Sequence, residues 1–179
     1  MREVANILIK GGIGVLPTDT IYGIVGSTFR PRAVERIYKL RKRNRKKPMI
    51  ILIGSIADIE RFEVKIDAKT KKILKRFWPW KVSIILPCPS KKFTYLHRGA
   101  ETLAFRLPAK KSLRALLKKT GPLVAPSANI EGERPAKTVA EAKRYFGSRV
   151  DFYLDIGRLT DKPSKLVDLL GGRSKIVRA

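Results

Sequence analysis

The chain has 179 residues, 44% of them hydrophobic, which suits one domain with a core of its own and is cramped for two. Forty lysines and arginines against fifteen acidic residues give a formal net charge of +25, which favours polyanionic partners, although a solvated basic surface has the same composition. One cysteine, Cys88, and one histidine, His97, exclude an internal disulfide, a Cys-rich zinc site and a His-rich metal site. No apolar run nears the roughly 20 residues of a membrane helix, and Met1-Arg2-Glu3-Val4 lacks the apolar core of a signal peptide. The expectation is a cytoplasmic protein with no membrane partner.

In chain order, residues 2–10 carry a helical stripe of Val4, Ala5, Leu8 and Ile9, stopped by Gly11-Gly12. Residues 13–16 read as a buried strand leading into Pro17-Thr18-Asp19-Thr20-Ile21-Tyr22-Gly23. Pro31 opens a helix with Ala33, Val34, Ile37, Tyr38 and Leu40 inward. Residues 49–53 are continuously apolar, as in a strand covered on both faces. Asp67 N-caps a helix running to Trp78. Strands are expected at 82–86 and 102–107, and a basic amphipathic helix at 110–119. A strand over 123–125 enters Pro126-Ser127-Ala128-Asn129, and a helix follows at 139–146. Late strands fall at 152–154, 166–169 and 175–177, the last two turned by Gly171-Gly172. The stretch Thr94-Tyr95-Leu96-His97-Arg98-Gly99 reads as loop, with His97 solvated. Alternating strands and helices predict an α/β domain, and the clustered late strands predict a mixed sheet.

Several segments could carry chemistry. Pro17–Gly23 follows a buried strand, where α/β sheets place ligands, but its threonines and Asp19 could equally bond their own backbone in a turn. Residues 39–47 hold seven basic side chains in nine positions, with no acid between Arg36 and Ala57. Arg41 lies seven residues after Val34, on the helix's inward stripe, and a guanidinium aimed into a cleft suits phosphate or carboxylate. Lys42, Arg45 and Lys46 read as solvated charge. Ser127 and Asn129 offer a hydroxyl and an amide to phosphate or ribose, or cap a local turn. Pro163–Asp168 and Arg178 alone read as a strand and a charged tail. Neither a G-x-x-x-x-G-K-[ST] loop nor G-x-G-x-x-G is present, so a triphosphate site would need side chains from several elements.

Taken together, six segments in register resemble the YrdC domain family, whose members make threonylcarbamoyl-AMP. They are PTDTIYG at Pro17 to Gly23, RKRNRKKPM at Arg41 to Met49, WPWKVSIIL at Trp78 to Leu86, TLAFRLP at Thr102 to Pro108, PSANIEG at Pro126 to Gly132, and PSKLVDL at Pro163 to Leu169. The resemblance runs from about Gly12 to Arg178. It implies one YrdC/RibB-like domain over residues 1–179, with a twisted mixed sheet, helices packed on it and a large basic concave surface. The family's K-x-R…S-x-N constellation falls on Arg41, Arg43, Ser127 and Asn129. Its pattern puts Thr20, Arg106 and Ser164 near threonine, and Lys47, Thr102 and Arg178 near the nucleotide.

The implied reaction joins L-threonine, bicarbonate and ATP into L-threonylcarbamoyl-AMP with release of pyrophosphate, the first step of threonylcarbamoyl modification of adenosine 37 in tRNA. Mg2+ would come bound through the phosphates, with no protein metal site. The product would pass to a tRNA threonylcarbamoyltransferase, with tRNA or double-stranded RNA as a further partner. The alternative is a non-catalytic RNA-binding module, which the charge permits. A carbamoyl-transfer domain, as in hydrogenase maturation proteins, would sit in a larger chain with zinc-finger-like cysteines. Five departures from the family pattern stand out: Arg41 for the usual lysine, Asn44 for proline, Trp80-Lys81 for Gly-Pro, Glu131 interrupting Ser-Gly, and Pro163-Ser164-Lys165 for Glu-Ser-Thr.

Overall fold

The computed structural model describes residues 1–170 and 175–178. Helix α1 (Arg2–Ile9) buries Ala5 and Leu8 and gives way to Gly11, whose φ of +93° favours a residue without a Cβ. Strand β1 (Ile13–Pro17) is buried throughout and turns back on itself through β2 (Tyr22–Ser27), with Ile13 opposite Gly26 and Pro17 opposite Tyr22. Residues 22–27 carry no element in the sequence reading, so this hairpin is a correction. Its turn is closed by Thr18, whose Oγ1 accepts from the backbone N–H of Thr20 and Ile21 and donates to the Ile21 carbonyl at 2.7 Å.

Helix α2 (Pro31–Leu40) starts on its proline and buries Ala33, Val34, Ile37 and Tyr38. The apolar run after it is buried at Met49 and Ile51–Ile53, yet only β3 (Ile51–Leu52) joins the ladder. A 3-10 turn covers Ile56–Phe62. Helix α3 (Ala68–Phe77) is capped by Asp67, which accepts from the Thr70 N–H at 2.6 Å. Strand β4 (Val82–Pro87) leads to a 3-10 turn at Lys91–Phe93 and to α4 (Thr94–His97).

Helix α4 overturns the loop reading of that stretch. His97 is buried; its Nδ1 accepts from the Gly99 N–H at 3.1 Å, which leaves Nε2–H to donate to the Ser90 carbonyl at 3.2 Å. Both ring nitrogens are thus engaged in closing the 90–99 segment. The remaining elements are β5 (Thr102–Arg106), α5 (Lys111–Thr120), β6 (Leu123–Val124), α6 (Val139–Phe146), β7 (Phe152–Tyr153), β8 (Lys165–Asp168) and β9 (Lys175–Arg178). The expected Gly171-Gly172 turn lies outside the described residues.

The strands form one mixed, twisted sheet in the order β7-β1-β2-β6-β3-β5-β4-β8-β9. Pairs β1/β7, β3/β5 and β4/β8 are parallel and the other neighbours antiparallel. Side chains alternate between two clusters, as the pleat requires. On one face Ile13, Val15, Ile24, Ile51, Ile84, Phe105, Val124 and Val167 pack with α2, α3, α4 and α6. On the other, Leu16, Val25, Leu52, Leu123 and Ala125 pack under α1 and α5. That second pair of helices covers only β1, β2, β6 and β3, and the half built from β5, β4, β8 and β9 stays open. Among the described residues no helix is long and apolar enough to cross a membrane.

Gly14 tests the β1/β7 seam. A Cβ there would lie 2.3 Å from the Phe152 ring. Gly14→Ala therefore has to push that ring off β7, at a cost of about 1–3 kcal/mol. A denaturation midpoint in urea equal to that of the unsubstituted chain would show that the ring moves freely.

Candidate functional site

The open half of the sheet floors a cavity of about 310 Å3. Thr102, Ala104 and Arg106 face it from β5, Ile85 from β4, and Leu166 from β8, while Leu103, Phe105, Ile84 and Val167 point into the core behind. The walls come from the Thr18–Ile21 turn, Arg41 and Arg43, the Ala125–Ser127 loop, Ser164 and Arg178. Of the residues that the sequence singles out, Thr20, Arg41, Arg43, Thr102, Arg106, Ser127, Ser164 and Arg178 line this cavity. Lys47 and Asn129 do not.

Arg41 caps the C-terminus of α2 and is only 3% exposed. Its Nε donates to the Asn129 carbonyl at 2.9 Å, and its Nη2 to Asn129 Oδ1 at 3.1 Å and Ser127 Oγ at 3.2 Å. The Asn129 amide in turn donates to the carbonyls of Ile130 and Glu133. Asn129 thus enters the site through Arg41 rather than directly. Burial, helped by the nearby charge of Arg43, pulls the Arg41 guanidinium down to about 10, which leaves it charged at neutral pH. Its Nη1 has no protein partner.

Arg43 is fixed by its own loop. Nε donates to the Lys47 carbonyl at 3.2 Å and Nη2 to the Pro48 carbonyl at 2.8 Å. Glu131 reaches over from the loop after β6. Its carboxylate lies 3.6 Å from Arg43 Nη1 and 3.5 Å from Lys47 Nζ, and accepts the Asn44 backbone N–H. Two of the departures noted in the sequence therefore meet: a proline at 44 would have no N–H to give. That hydrogen bond, followed by the charges of Arg43 and Lys47, holds the Glu131 carboxyl below its usual range.

Arg106, at the end of β5, is buried and paired within the protein. Its Nη1 donates to Thr20 Oγ1 at 3.1 Å, and its Nη2 sits 3.2 Å from Asp19 Oδ1, at ion-pair distance but off the line of a hydrogen bond. Asp19 Oδ2 accepts the Ala109 N–H at 3.0 Å. Burial lowers the Arg106 guanidinium, and the Asp19 charge opposes it. Its Nε also lacks a protein partner.

Arg178 donates from Nε and Nη2 to the Ser164 carbonyl at 3.2 and 2.8 Å. It faces the cavity because the β8/β9 register shifts: Ile176 pairs with Val167 and Arg178 with Leu166, leaving Val177 as an extra bulged residue. Ser164 Oγ is 2.9 Å from the buried Ser83 Oγ. Sequence reasoning missed Ser83 and gave Asp19 only a turn role. The one signal for Ser83 is a hydroxyl amid the apolar run Val82–Leu86; for Asp19 it is the excess of buried arginine that needs a counter-charge.

Among the described residues four guanidiniums line the cavity, and no acid, histidine or cysteine does. Such a lining binds and braces anions, and has no ordinary proton-transfer group. Chemistry here must come from positioning and charge.

Comparison with known proteins agrees with this geometry. The sequence model of the Sua5/YciO/YrdC family, described as "Telomere recombination", matches residues 6–179. A Bacillus subtilis protein named threonylcarbamoyl-AMP synthase is 35% identical over 143 residues, covering 79% of this chain but 41% of that relative. One of the same name from Halorhodospira halophila is 30% identical over 177 residues, covering 97% of this chain and 91% of the relative. The crystal structure of P. abyssi Sua5 complexed with L-threonine superposes with a TM-score of 0.86 at 29% identity, over 99% of this chain and 53% of that one. YciO of E. coli, at 24% identity and a TM-score of 0.85, shares the fold over 98% of this chain. The chain thus spans about half the length of some relatives and nearly all of others, and it belongs to the Sua5/YciO/YrdC family.

Proposed function

We propose that this cavity joins L-threonine, bicarbonate and ATP into L-threonylcarbamoyl-AMP and releases pyrophosphate, for use in modifying adenosine 37 of tRNA. The observation that carries the reading is the convergence of Arg41, Arg43, Arg106 and Arg178 on one cavity that no carboxylate lines among the described residues. Guanidiniums gathered in this way favour anionic ligands, through charge-assisted hydrogen bonds. Anions fit both ends: a carboxylate near Arg106 and Thr20, phosphates near Arg41, Arg43 and Ser127. The names of the relatives and the threonine complex of Sua5 support the same choice of substrates.

In this reading bicarbonate splits to carbon dioxide and hydroxide, the threonine amine attacks the carbon, and its proton joins the hydroxide and leaves as water, giving a carbamate. A carbamate oxygen then attacks the α-phosphate, and the bond to pyrophosphate breaks. Arg106 and Thr20 orient the amino acid, with Ser164 beside them. Arg41, through Ser127, and Arg43 brace the phosphates, while Thr102, Lys47 and Arg178 lie toward the nucleotide. Among the described residues no three His, Cys, Asp or Glu side chains come together. Mg2+ would come with the substrate, carried by phosphate oxygens and water, and would offset phosphate charge. The product would be consumed by a tRNA threonylcarbamoyltransferase.

The direct test is pyrophosphate release from ATP and bicarbonate with and without L-threonine. Release that ignores threonine would sink the reading, and no release at all would favour a non-catalytic RNA-binding module. Arg43→Ala removes a charge-assisted contact worth about 1.5–3 kcal/mol, so kcat/KM for ATP should fall roughly 10- to 100-fold with the thermal midpoint nearly unchanged. Wild-type turnover would remove Arg43 from the site. Arg106→Lys should raise KM for L-threonine more than KM for ATP, because a lysine cannot hold Asp19 and Thr20 while offering a fork to a carboxylate. Equal effects on both would contradict its assignment to the amino acid.

Glu131 has a separate expectation. Its carboxylate neutralises Arg43 and Lys47, whose positions Arg43 keeps through the Lys47 and Pro48 carbonyls. Glu131→Gln should lower KM for ATP a few-fold and leave KM for threonine unchanged, with a stability loss under about 1 kcal/mol, since the pair is partly solvated. A higher KM for ATP would mean that the carboxylate shapes the loop instead. Because the folded Glu131 carboxyl lies below its unfolded value, its stabilisation is present above about pH 4.5 and is lost as pH falls through the depressed value. The stability gap between wild type and Glu131→Gln should close along that same descent.

A further inference from the structure

The opposite face of the same sheet edge carries a second hollow. Lys165, Val167 and Ile176 line it, whereas Leu166 and Arg178 line the cavity, so the two open on opposite sides of β8 and β9. This groove has a volume of about 680 Å3. Its apolar wall is Phe77, Val82, Val167 and Ile176, and Trp80 stands at its margin 63% exposed. A smaller hollow that also takes in Arg76 and Trp78 shares Phe77, Trp80 and Val82 with it. The indole is exposed but its backbone is fixed. Trp80 N donates to the Leu107 carbonyl at 3.2 Å, and the neighbouring Trp78 is buried with its Nε1 on the Val82 carbonyl at 2.7 Å.

Cations surround this aromatic ledge. Lys81, Lys162 and Lys165 rim the groove against one acid, Asp161, which Lys81 pairs at 2.9 Å. The helix that leads to it, α3, presents Lys69, Lys71, Lys72, Lys75 and Arg76 and no acidic residue. Lys69, Lys72 and Arg76 follow one stripe about 10 Å long at 1.5 Å per residue. A neutral partner would leave these charges unanswered, and an acidic protein segment would leave the indole without a π-face to meet. A bilayer calls for apolar groups on a protruding surface, but here they line a concavity. A flexible chain of phosphates bearing planar bases answers both the charge and the ring.

We infer that the Trp80 groove binds single-stranded RNA, with a base stacked on the indole and phosphates on the lysine rim and α3. The inference does not rest on the synthase reading, and its test reads RNA binding alone.

The probe is a fluorescein-labelled uridine oligomer of about 12 nucleotides, titrated with the whole chain and followed by anisotropy and by tryptophan emission. Binding should quench tryptophan emission in the unsubstituted chain, and the quench should vanish in Trp80→Ala. Trp80→Ala should weaken binding about tenfold, and Trp80→Phe should restore most of it. Lys162→Ala and Lys165→Ala should each lower the salt slope of binding by about 0.7. Unchanged oligomer affinity in Trp80→Ala, or no oligomer binding at all, would overturn the inference. So would a blunt duplex of the same length that binds more tightly and ignores Trp80. Quenching by vesicles of phosphatidylserine and phosphatidylcholine, but not by the oligomer, would assign the surface to membranes instead.

Discussion

A charged guanidinium buried beneath the end of α2 is the constraint on which the site depends. Taking an ion out of water costs several kcal/mol even after the protein relaxes. Arg41 offsets that cost with three hydrogen bonds, all to Ser127 and Asn129, on the loop that follows β6. Strand β6 lies between β2 and β3, so the arginine ties a helix end to the middle of the sheet. A lysine, with one nitrogen on a flexible stem, cannot hold two residues in a fixed fork. Arginine at this position therefore changes what the group does. Much of its hydrogen-bonding capacity is spent on the protein itself, and one nitrogen is left over.

The sheet makes room for the site by unequal cover. Helices α1 and α5 close one half of a face with leucine, and the other half is bare. On the bare half the alternating positions of β5 are Thr102, Ala104 and Arg106, two small side chains and one long one. Bulky apolar residues there would fill the hollow. The same strand sends Leu103 and Phe105 into the core on the reverse side, so the cavity floor and the hydrophobic core share one short run of backbone.

The sequence made most helices legible through a one-sided apolar stripe, with a start signal at Pro31 for α2 and at Asp67 for α3. Strand β2 escaped because Tyr22-Gly-Ile-Val-Gly-Ser is buried on both faces. Glycines interrupt its pattern, and the threonine-rich segment before it looks like a ligand loop even while it serves as a hairpin turn. Helix α4 escaped because four residues are too few to show a period. For the site, the inward position of Arg41 could be read from its spacing to Val34. Its union with Ser127 and Asn129, eighty-six and eighty-eight positions away, could come only from resemblance. The Asp19–Arg106 pair and the Ser83–Ser164 contact join residues whose local sequence does not say which partner each meets.

The extra residue at Val177 makes the edge of the sheet sensitive to parity. In a regular strand Ile176 and Arg178 would share a face, and the arginine would project beside Trp80. The bulge moves the chain one step out of phase, so successive turns of the pleat send an isoleucine to one compartment and a guanidinium to the other. Regular pairing that kept Val177 in the ladder would bring both side chains to one face without altering composition or net charge. The charge distribution between the two sides of this protein is thus set by counting along a strand, and the register of β9 is as much a determinant of chemistry as the identity of its side chains.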